Sequence, residues 1–458
     1  MKSIHMIGIG GTGLSAIARV LLESGYTVSG SDQQDSAGLQ QLAKLGATIY
    51  IGHAAHQVAQ VDLVVRSSAI PDTNPEVIAA QEKNIAVLKR ADFLSTLIGK
   101  KKCIAISGTH GKTTTTAMIA WMLHELQLDP SYIIGSDSKD LGNNAHAGSS
   151  DYFVIEADEY DRMFHGLTPY MGILTNLEHD HPDCYPSMAD YEEAFMTYIN
   201  KIIPEGKLIF DWDDAGNKGF SKNFSPKTKV IRYAVSSQDA DKQAQQVILQ
   251  ENGCYRFEYP ANDDNYIPCH LQVPGLHNVH NAMAAMIVAE QLELNLYDAA
   301  AALEKFSGTG RRMEIIGETQ GITIIDDYAH HPTEIETTLK ALRERYPNRI
   351  IWTVWQPHTY SRTMTLFDKY VDVFKETDHL IITPVYAARE TNPGFNIEDL
   401  VNQLKNANSQ HIDNFDKIRQ YLTDNMKADD ILIVLSAGDA IQISSAVYKT
   451  LSERSESA

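Results

Sequence analysis

Cys103-Ile104-Ala105-Ile106-Ser107-Gly108-Thr109-His110-Gly111-Lys112-Thr113-Thr114 is the stretch on which the fold turns. Residues 103–106 have the apolar character of a buried strand, and they run into a glycine-bounded turn and then a helix-forming segment. Strand, glycine loop and helix in that order make a site for a nucleoside triphosphate. Backbone amides face the phosphates, Lys112 neutralises the β and γ oxygens, and the Thr113 hydroxyl reaches Mg²⁺. The common form of the motif has glycine five residues before Gly111, where this chain has Ile106, so the loop is a shortened one. Gly108, Thr109, His110, Gly111, Lys112, Thr113 and Thr114 are the candidate ATP-binding residues.

Upstream, Gly8-Ile9-Gly10-Gly11-Thr12-Gly13 follows a strand candidate at residues 3–7 and opens an apolar helix. Asp32, after a strand candidate at 27–30, stands where a dinucleotide fold places its ribose-binding acid. The loop admits a pyrophosphate attached to ribose, which NAD and a UDP-sugar both present. A tight strand-to-helix turn without ligand fits the same pattern.

A chain of 458 residues exceeds what one hydrophobic core serves. The basic break Gly99-Lys100-Lys101-Lys102 and the small-residue segment Phe306-Ser307-Gly308-Thr309-Gly310 divide it. Three α/β domains are expected: Rossmann-like over 1–98, P-loop ATPase-like over 99–309 and again Rossmann-like over 310–458. Further strand candidates lie at 63–66, 350–355 and 431–435, and the polar stretch 236–250 reads as an exposed excursion of the middle domain.

Apolar content of 43% with 21% charged residues is that of a globular enzyme, and no run approaches the roughly 18 apolar residues of a membrane span. The N-terminus runs directly into a glycine turn, unlike a signal peptide, so a cytoplasmic location is expected. Four cysteines without Cys-x-x-Cys spacing fit a reducing compartment. A net charge of −20 opposes binding to nucleic acid or an anionic membrane, so anionic substrates must be held locally.

Further motifs follow in order: Glu156-Ala157-Asp158-Glu159 after a strand candidate at 153–155, then Thr175-Asn176-Leu177-Glu178-His179-Asp180-His181, then Gly275-Leu276-His277-Asn278-Val279-His280-Asn281. Arg311-Arg312-Met313-Glu314, Asp326-Asp327-Tyr328-Ala329-His330-His331-Pro332 and Gln356-Pro357-His358-Thr359-Tyr360-Ser361-Arg362 complete the series. Together with the shortened loop, they resemble the Mur ligase family over essentially the whole chain. Within the family, the opening glycine loop and the segment from Asp326 to Pro332 resemble the alanine-adding branch.

That resemblance implies ATP and Mg²⁺ as cofactors, UDP-N-acetylmuramate and L-alanine as substrates, and a monomer or homodimer. It makes Lys112, Glu156 and His181 the catalytic group, with Thr113, Glu156 and His181 at magnesium. Asn281 resembles the residue that reads adenine, and Arg312 and Asp327 those that hold phosphate and ribose. Gly8, Gly10, Gly11, Thr12, Gly13, Asp32, Ser67, Ser68 and Asn144 fall to the sugar nucleotide, and His330, His331 and Arg362 to the incoming amino acid. Glu156 at a strand's C-terminal end suits a hard cation, and a guanidinium can grip both carboxylate oxygens. Singly, such residues are more often surface, capping or hydrogen-bonding groups. Several members carry a carbamylated lysine about fifteen residues after the magnesium histidine; Phe195-Met196 stands there, an absence the alanine-adding branch shares. Some also have arginine where Thr359 stands. A dehydrogenase, a nucleotide sensor without turnover and a recycling ligase that adds a tripeptide are the competing readings.

Overall fold

The computed structural model describes residues 2–223, 228–262, 265–406 and 408–456. The first 98 residues alternate β1 (Ser3–Ile7), α1 (Thr12–Glu23), β2 (Thr27–Asp32), α2 (Ala37–Lys44), β3 (Thr48–Ile51), β4 (Leu63–Arg66), α3 (Pro75–Glu82), β5 (Ala86–Lys89) and α4 (Arg90–Ile98). The five strands pair in parallel, in the order β3-β2-β1-β4-β5. Strand order reverses between β1 and β4, and open α/β sheets bind ligands at such a switch point, beyond the strand C-termini. Buried Leu14, Ile17, Val20 and Leu21 fasten α1 to the sheet, and its N-terminus at Gly11 carries no side-chain cap. Its first amides therefore remain available to an anion.

The next elements are β6 (Lys102–Ser107), α5 (Lys112–Glu125), β7 (Ser131–Ile133), β8 (Ala145–His146), β9 (Tyr152–Glu156), β10 (Met171–Leu174), α6 (Met188–Ile199), β11 (Lys207–Asp211), α7 (Ala215–Ser221) and β12 (Lys229–Ala234). They are followed by β13 (Lys242–Gln243), β14 (Gln245–Leu249), β15 (Cys254–Asn262), β16 (Asn265–Pro274), α8 (His277–Gln291) and α9 (Leu296–Glu304). Eight strands form one sheet, β13-β12-β11-β10-β6-β9-β7-β8, parallel except for the β7–β8 pair. Its central strands are apolar throughout because helices cover both faces. An antiparallel sheet, β14-β15-β16, stands beside it.

Much of the stretch read as an excursion, 236–250, is strand instead: β13 extends the parallel sheet and β14 edges the antiparallel one. An edge strand keeps one face wet, which is why Gln245, Gln246 and exposed Ile248 can share a strand with half-buried Val247. Strand 27–30 extends to Asp32, and strand 350–355 begins at Ile351, leaving Ile350 exposed before it.

The last part comprises β17 (Glu314–Thr319), β18 (Ile322–Asp327), α10 (Pro332–Arg345), β19 (Ile351–Trp355), α11 (Tyr360–Thr365), α12 (Phe367–Tyr370) and β20 (His379–Ile382). It ends with α13 (Ile397–Val401), β21 (Ser409–His411), α14 (Phe415–Asn425), β22 (Ile431–Leu435) and α15 (Ile441–Glu456). The sheet order is β17-β18-β22-β19-β20-β21, parallel apart from β17–β18.

One apolar cluster runs from Ile4 of β1 and Leu94 of α4 into Phe164, Tyr198 of α6 and Phe210 of β11. The last sheet has two clusters of its own, one on each face. The segment 306–310 between them is pinned to a middle-domain loop: Gly310 N donates to Asp137 O at 2.8 Å and the Ser307 hydroxyl to Asp140 at 2.5 Å. No helix among the described residues is long and apolar enough to cross a membrane.

Candidate functional site

Three strand ends of the middle sheet converge on the shortened loop. Gly108 and Gly111 have φ of 131° and 79°, a conformation that side chains other than glycine rarely adopt. Ile106, at the position where the longer motif has glycine, is fully buried in β6, which runs on to Ser107, so the turn starts two residues later, at Gly108. Lys112 opens α5 and folds back over the loop, donating to Gly108 O at 2.5 Å, Thr109 O at 2.9 Å and Glu159 Oε1 at 2.9 Å. The Thr113 hydroxyl donates to Glu156 Oε1 at 3.1 Å, while Glu156 Oε2 accepts Gly135 N at 2.7 Å. Burial pushes the Glu156 carboxyl above its ordinary value, against the pull of Lys112. A half-buried carboxylate beside a threonine hydroxyl is a hard-oxygen pair that suits a divalent cation.

His181 approaches from the loop after β10 with φ of 54°, its Nε2 3.6 Å from Glu159 Oε1. Of the Phe195-Met196 pair, Phe195 is fully buried in α6 and packed edge-on against Phe164 at 5.1 Å.

Thr113, Thr114, Asn281, Arg312 and Asp327 line a cavity of about 490 Å³ that starts at the loop and ends between the middle and last sheets. Asn281 lies beneath the loop: it accepts the Thr115 hydroxyl at 3.0 Å, and a Cβ on Gly111 would meet its Oδ1 at 2.9 Å. Asp327 accepts Met313 N at 2.8 Å and Ala329 N at 2.7 Å, fixing the turn that carries Arg312. Arg312 lies 3.5 Å from Glu334.

Around His110 the loop meets the last domain. Its ring lies 3.4 Å from Glu178 and 3.3 Å from Glu334, packed on His331 at 4.7 Å. Burial works against its protonation, but the two carboxylates outweigh it and raise the ring to about 9. Glu178 also accepts the Thr333 hydroxyl at 2.6 Å and Lys369 at 2.8 Å. Arg362, only 4% exposed, donates to Asp180 Oδ1 and to His358 Nδ1, each at 2.9 Å. Its guanidinium is thus already engaged, and an incoming carboxylate would have to share it. Burial, helped by Arg362, lowers His330 to about 3, and its Nδ1 donates to Tyr328 O at 2.9 Å. His331 is fully buried as the N-cap of α10.

At the first sheet, Gly11, Thr12 and Ser68 are exposed, and Ser67 closes against Gly8, where a Cβ would come within 3.2 Å. Asp32 Oδ2 accepts Gly10 N at 2.9 Å and Oδ1 accepts Gln33 N at 2.8 Å, so this carboxylate shapes the loop itself. Gly13 abuts Arg90, which pairs with Asp158 at 3.3 Å and is a cation at the loop's helix start that sequence reading passed over. Asn144 lies outside the cavity; its carbonyl accepts Ile134 N at 2.8 Å, one residue before the amide that Glu156 holds. Glu159, Asp180, Glu334 and His358 were likewise missed. Glu159, Asp180 and His358 stand within the quoted motifs, but only their spatial partners reveal them.

A shortened phosphate loop facing an acidic strand end, set between a glycine-loop sheet and a third α/β sheet, defines an ATP-dependent ligase of the Mur type. Three models match in order: the Mur ligase family, catalytic domain over residues 3–102, the Mur ligase middle domain over 106–289, and the Mur ligase, glutamate ligase domain over 311–438. The chain belongs to the Mur ligase family. It is 40% identical over 446 residues, 96% of each chain, to the UDP-N-acetylmuramate–L-alanine ligase of Clostridium acetobutylicum. Among solved structures it resembles the UDP-N-acetylmuramate-alanine ligase of Thermotoga maritima, with a TM-score of 0.83 at 27% identity over the whole of both chains. A murein peptide ligase from Psychrobacter arcticus matches with a TM-score of 0.72 at 27% identity over 99% of each.

Proposed function

We propose that this chain is a cytoplasmic ligase that joins L-alanine to the lactyl carboxylate of UDP-N-acetylmuramate, with ATP converted to ADP and phosphate. The observation that carries this reading is the 40% identity across 96% of both chains to an alanine-adding ligase. The loop geometry supports it.

The first sheet holds the sugar nucleotide, its pyrophosphate against the uncapped amides of α1 and its lactyl arm directed to the middle domain. The ATP triphosphate lies along Gly108 to Thr114, with Asn281 at the base and Asp327 at the ribose. The lactyl carboxylate oxygen attacks the γ-phosphorus, the bond to the β-γ bridging oxygen breaks, and ADP leaves, giving an acyl phosphate. Lys112 and Arg312 stabilise the charge spreading over the transferring oxygens. Magnesium, when bound, neutralises those oxygens further; Thr113, Glu156 and His181 are the residues that would hold it. The free amine of alanine then attacks the acyl carbon, a tetrahedral intermediate forms, and phosphate leaves as the amine gives up its proton. The last domain, held by His110, Glu178 and Asp180, excludes water from the acyl phosphate.

Phosphate release from ATP and UDP-N-acetylmuramate, measured with alanine, serine, glycine and a cell-wall tripeptide as acceptors, tests the assignment. Alanine should give the highest kcat/KM. Preference for the tripeptide would move the chain to the recycling reaction, and ATP binding without turnover on any acceptor would make it a sensor.

A further inference from the structure

Under the segment 306–310 that leads into the last domain lies a carboxyl that the mechanism above does not use. Asp326, on β18, is 2% exposed, and neither of its oxygens has a hydrogen-bond partner among the described residues. Its neighbour Asp327 spends both oxygens on the amides of Met313 and Ala329. Successive strand residues face opposite ways, so Asp326 shares a face with Ile324, the face covered by Ile443 and Val447 of α15. An unmatched carboxylate is costly at that depth, whereas a protonated carboxyl needs only an acceptor. The acceptor is present: Ser444, fully buried in the first turn of α15, spends its hydrogen on Ile441 O at 2.7 Å and so offers Asp326 a lone pair. Burial, aided by Glu314 and Asp327 and opposed by Arg311, pushes the carboxyl up to about 7. Those three are the charged groups around it: Arg311 precedes β17, Glu314 is its cross-strand partner on β17, and Asp327 follows it on β18, while β22 opposes it with Val434.

Arg311 is the group that answers to this carboxyl. It directly follows 306–310 and fastens that segment to the last domain: Nη2 donates to Ser436 O at 2.5 Å, its amide donates to Glu314 Oε2 at 2.7 Å, and its carbonyl accepts Tyr328 N at 2.8 Å. The guanidinium lies over the Tyr328 ring at 4.9 Å, and that of Arg312 lies over the same ring at 5.5 Å. Arg311 and Met313 have φ of 57° and 44°, so the turn that presents Arg312 to the cavity is strained on both sides and depends on those contacts. Arg311 Nε is buried without a partner among the described residues, which leaves it as the donor for an ionised Asp326. No ion pair joins the two as the structure stands, so pairing them requires the guanidinium to move from Ser436 and Tyr328.

We propose that Asp326 is a proton-binding positioning residue for ATP: with its proton on, it rests on Ser444 and leaves Arg311 to hold the turn that aims Arg312; with its proton gone, it draws the Arg311 guanidinium inward and slackens that turn. The assignment rests on the reading of Arg312 as a residue that holds ATP phosphate. A guanidinium grips phosphate through a fork of fixed geometry, so a shift of about 1 Å is enough to lose affinity. The sugar-nucleotide loop on the first sheet is untouched by that shift.

KM for ATP and for UDP-N-acetylmuramate, measured across neutral pH on full-length wild type, Asp326→Asn, Arg311→Met and Arg312→Ala, tests the proposal. In wild type, KM for ATP should rise about tenfold as pH climbs through about 7. Asp326→Asn fixes the neutral form and should keep the low value throughout, whereas Arg311→Met removes the fastening and should hold the high value throughout. The ionisation of ATP itself acts alike on every variant, so the difference between wild type and Asp326→Asn isolates the carboxyl. KM for the sugar nucleotide should follow one profile in both. Should Asp326→Asn fail to fold, Arg311→Met decides the matter, because it leaves the carboxyl in place: a wild-type rise retained in that variant overturns the proposal. Identical ATP profiles in wild type and Asp326→Asn, or a rise of the same size in KM for the sugar nucleotide, also overturn it. If Arg312→Ala leaves KM for ATP unchanged, the phosphate reading fails and this inference with it; a large rise in Arg312→Ala with no difference between wild type and Asp326→Asn fails this inference alone.

Discussion

Lys112→Ala is expected to damage the enzyme twice, and the two effects can be separated. The Lys112 ammonium sits 2.9 Å from Glu159, whose side chain is 1% exposed, and the lysine itself is 13% exposed. Removing one partner of a buried ion pair leaves the other charge desolvated, at a cost of about 3–5 kcal/mol. At the lower end of that range, the unfolding midpoint of a domain this size should fall by roughly 6–12 °C. Loss of a charge partner for the transferring phosphoryl group should also lower kcat by a hundredfold or more, about 3 kcal/mol of barrier. Adding Glu159→Gln to Lys112→Ala removes the stranded charge, so most of the lost thermal stability should return while phosphate release stays low. Differential scanning fluorimetry and a coupled phosphate assay on wild type, both single variants and the double variant supply the readout. Near-normal turnover in Lys112→Ala would refute the phosphate clamp. A double variant as unstable as Lys112→Ala would refute the buried-charge explanation.

Three further expectations follow from the same geometry. Glu156→Ala should make activity much less responsive to Mg²⁺, and an unchanged magnesium titration would remove Glu156 from the metal site. Gly10→Val places a Cβ 2.8 Å from Asp32 Oδ2, so the loop must shift and KM for UDP-N-acetylmuramate should rise far more than KM for ATP; wild type should bind no NAD or NADP by calorimetry, and tight competitive NAD binding would return the first sheet to the dehydrogenases. Stability should fall on both sides of neutrality. His110, raised to about 9, stabilises the fold fully below about 6.5, and that contribution of up to about 3 kcal/mol is lost as pH climbs through 9. His330, lowered to about 3, and His331 and His358, lowered to about 4, act oppositely: their unfolded forms take up protons first, so stability drops as pH falls from about 6.5 towards 4. Denaturant midpoints measured from pH 4 to 10 should trace a dome, and a flat profile would contradict the histidine environments.

The parts of the fold that sequence reveals are those where one residue's chemistry dictates local geometry. Gly108 and Gly111 are glycines because of their φ angles, Lys112 and Thr113 follow at fixed helical positions, and the apolar runs of β6 and β22 declare buried parallel strands. Partnerships made across the chain stay hidden. Arg362 looked free to take a carboxylate, but Asp180, far away in sequence, occupies it. Asp32 looked like a ribose acceptor, yet its oxygens already hold Gly10 and Gln33 amides. His110 sits inside a legible motif, but its protonation depends on Glu334, a residue with no local mark of function. The 236–250 stretch misled for another reason: an edge strand with one wet face has the composition of a loop.

Among the described residues no buried apolar cluster is shared between the last domain and the other two, which makes their contact a polar docking with a narrow tether at 306–310. Its fastenings include His110 to Glu334, Glu178 to Thr333 and Lys369, Asp180 to Arg362, and Tyr255 to Glu344. Hydrophobic surfaces torn apart expose area that water resists, but charged groups parted from each other are taken up by water and ions, most readily at the exposed pairs. The first two domains, joined by continuous packing, behave as a fixed bench, and the third as a door whose latch weakens with ionic strength. On the proposed function both nucleotides would load onto the bench and the amino acid onto the door, so rising salt should slow turnover before it loosens either nucleotide.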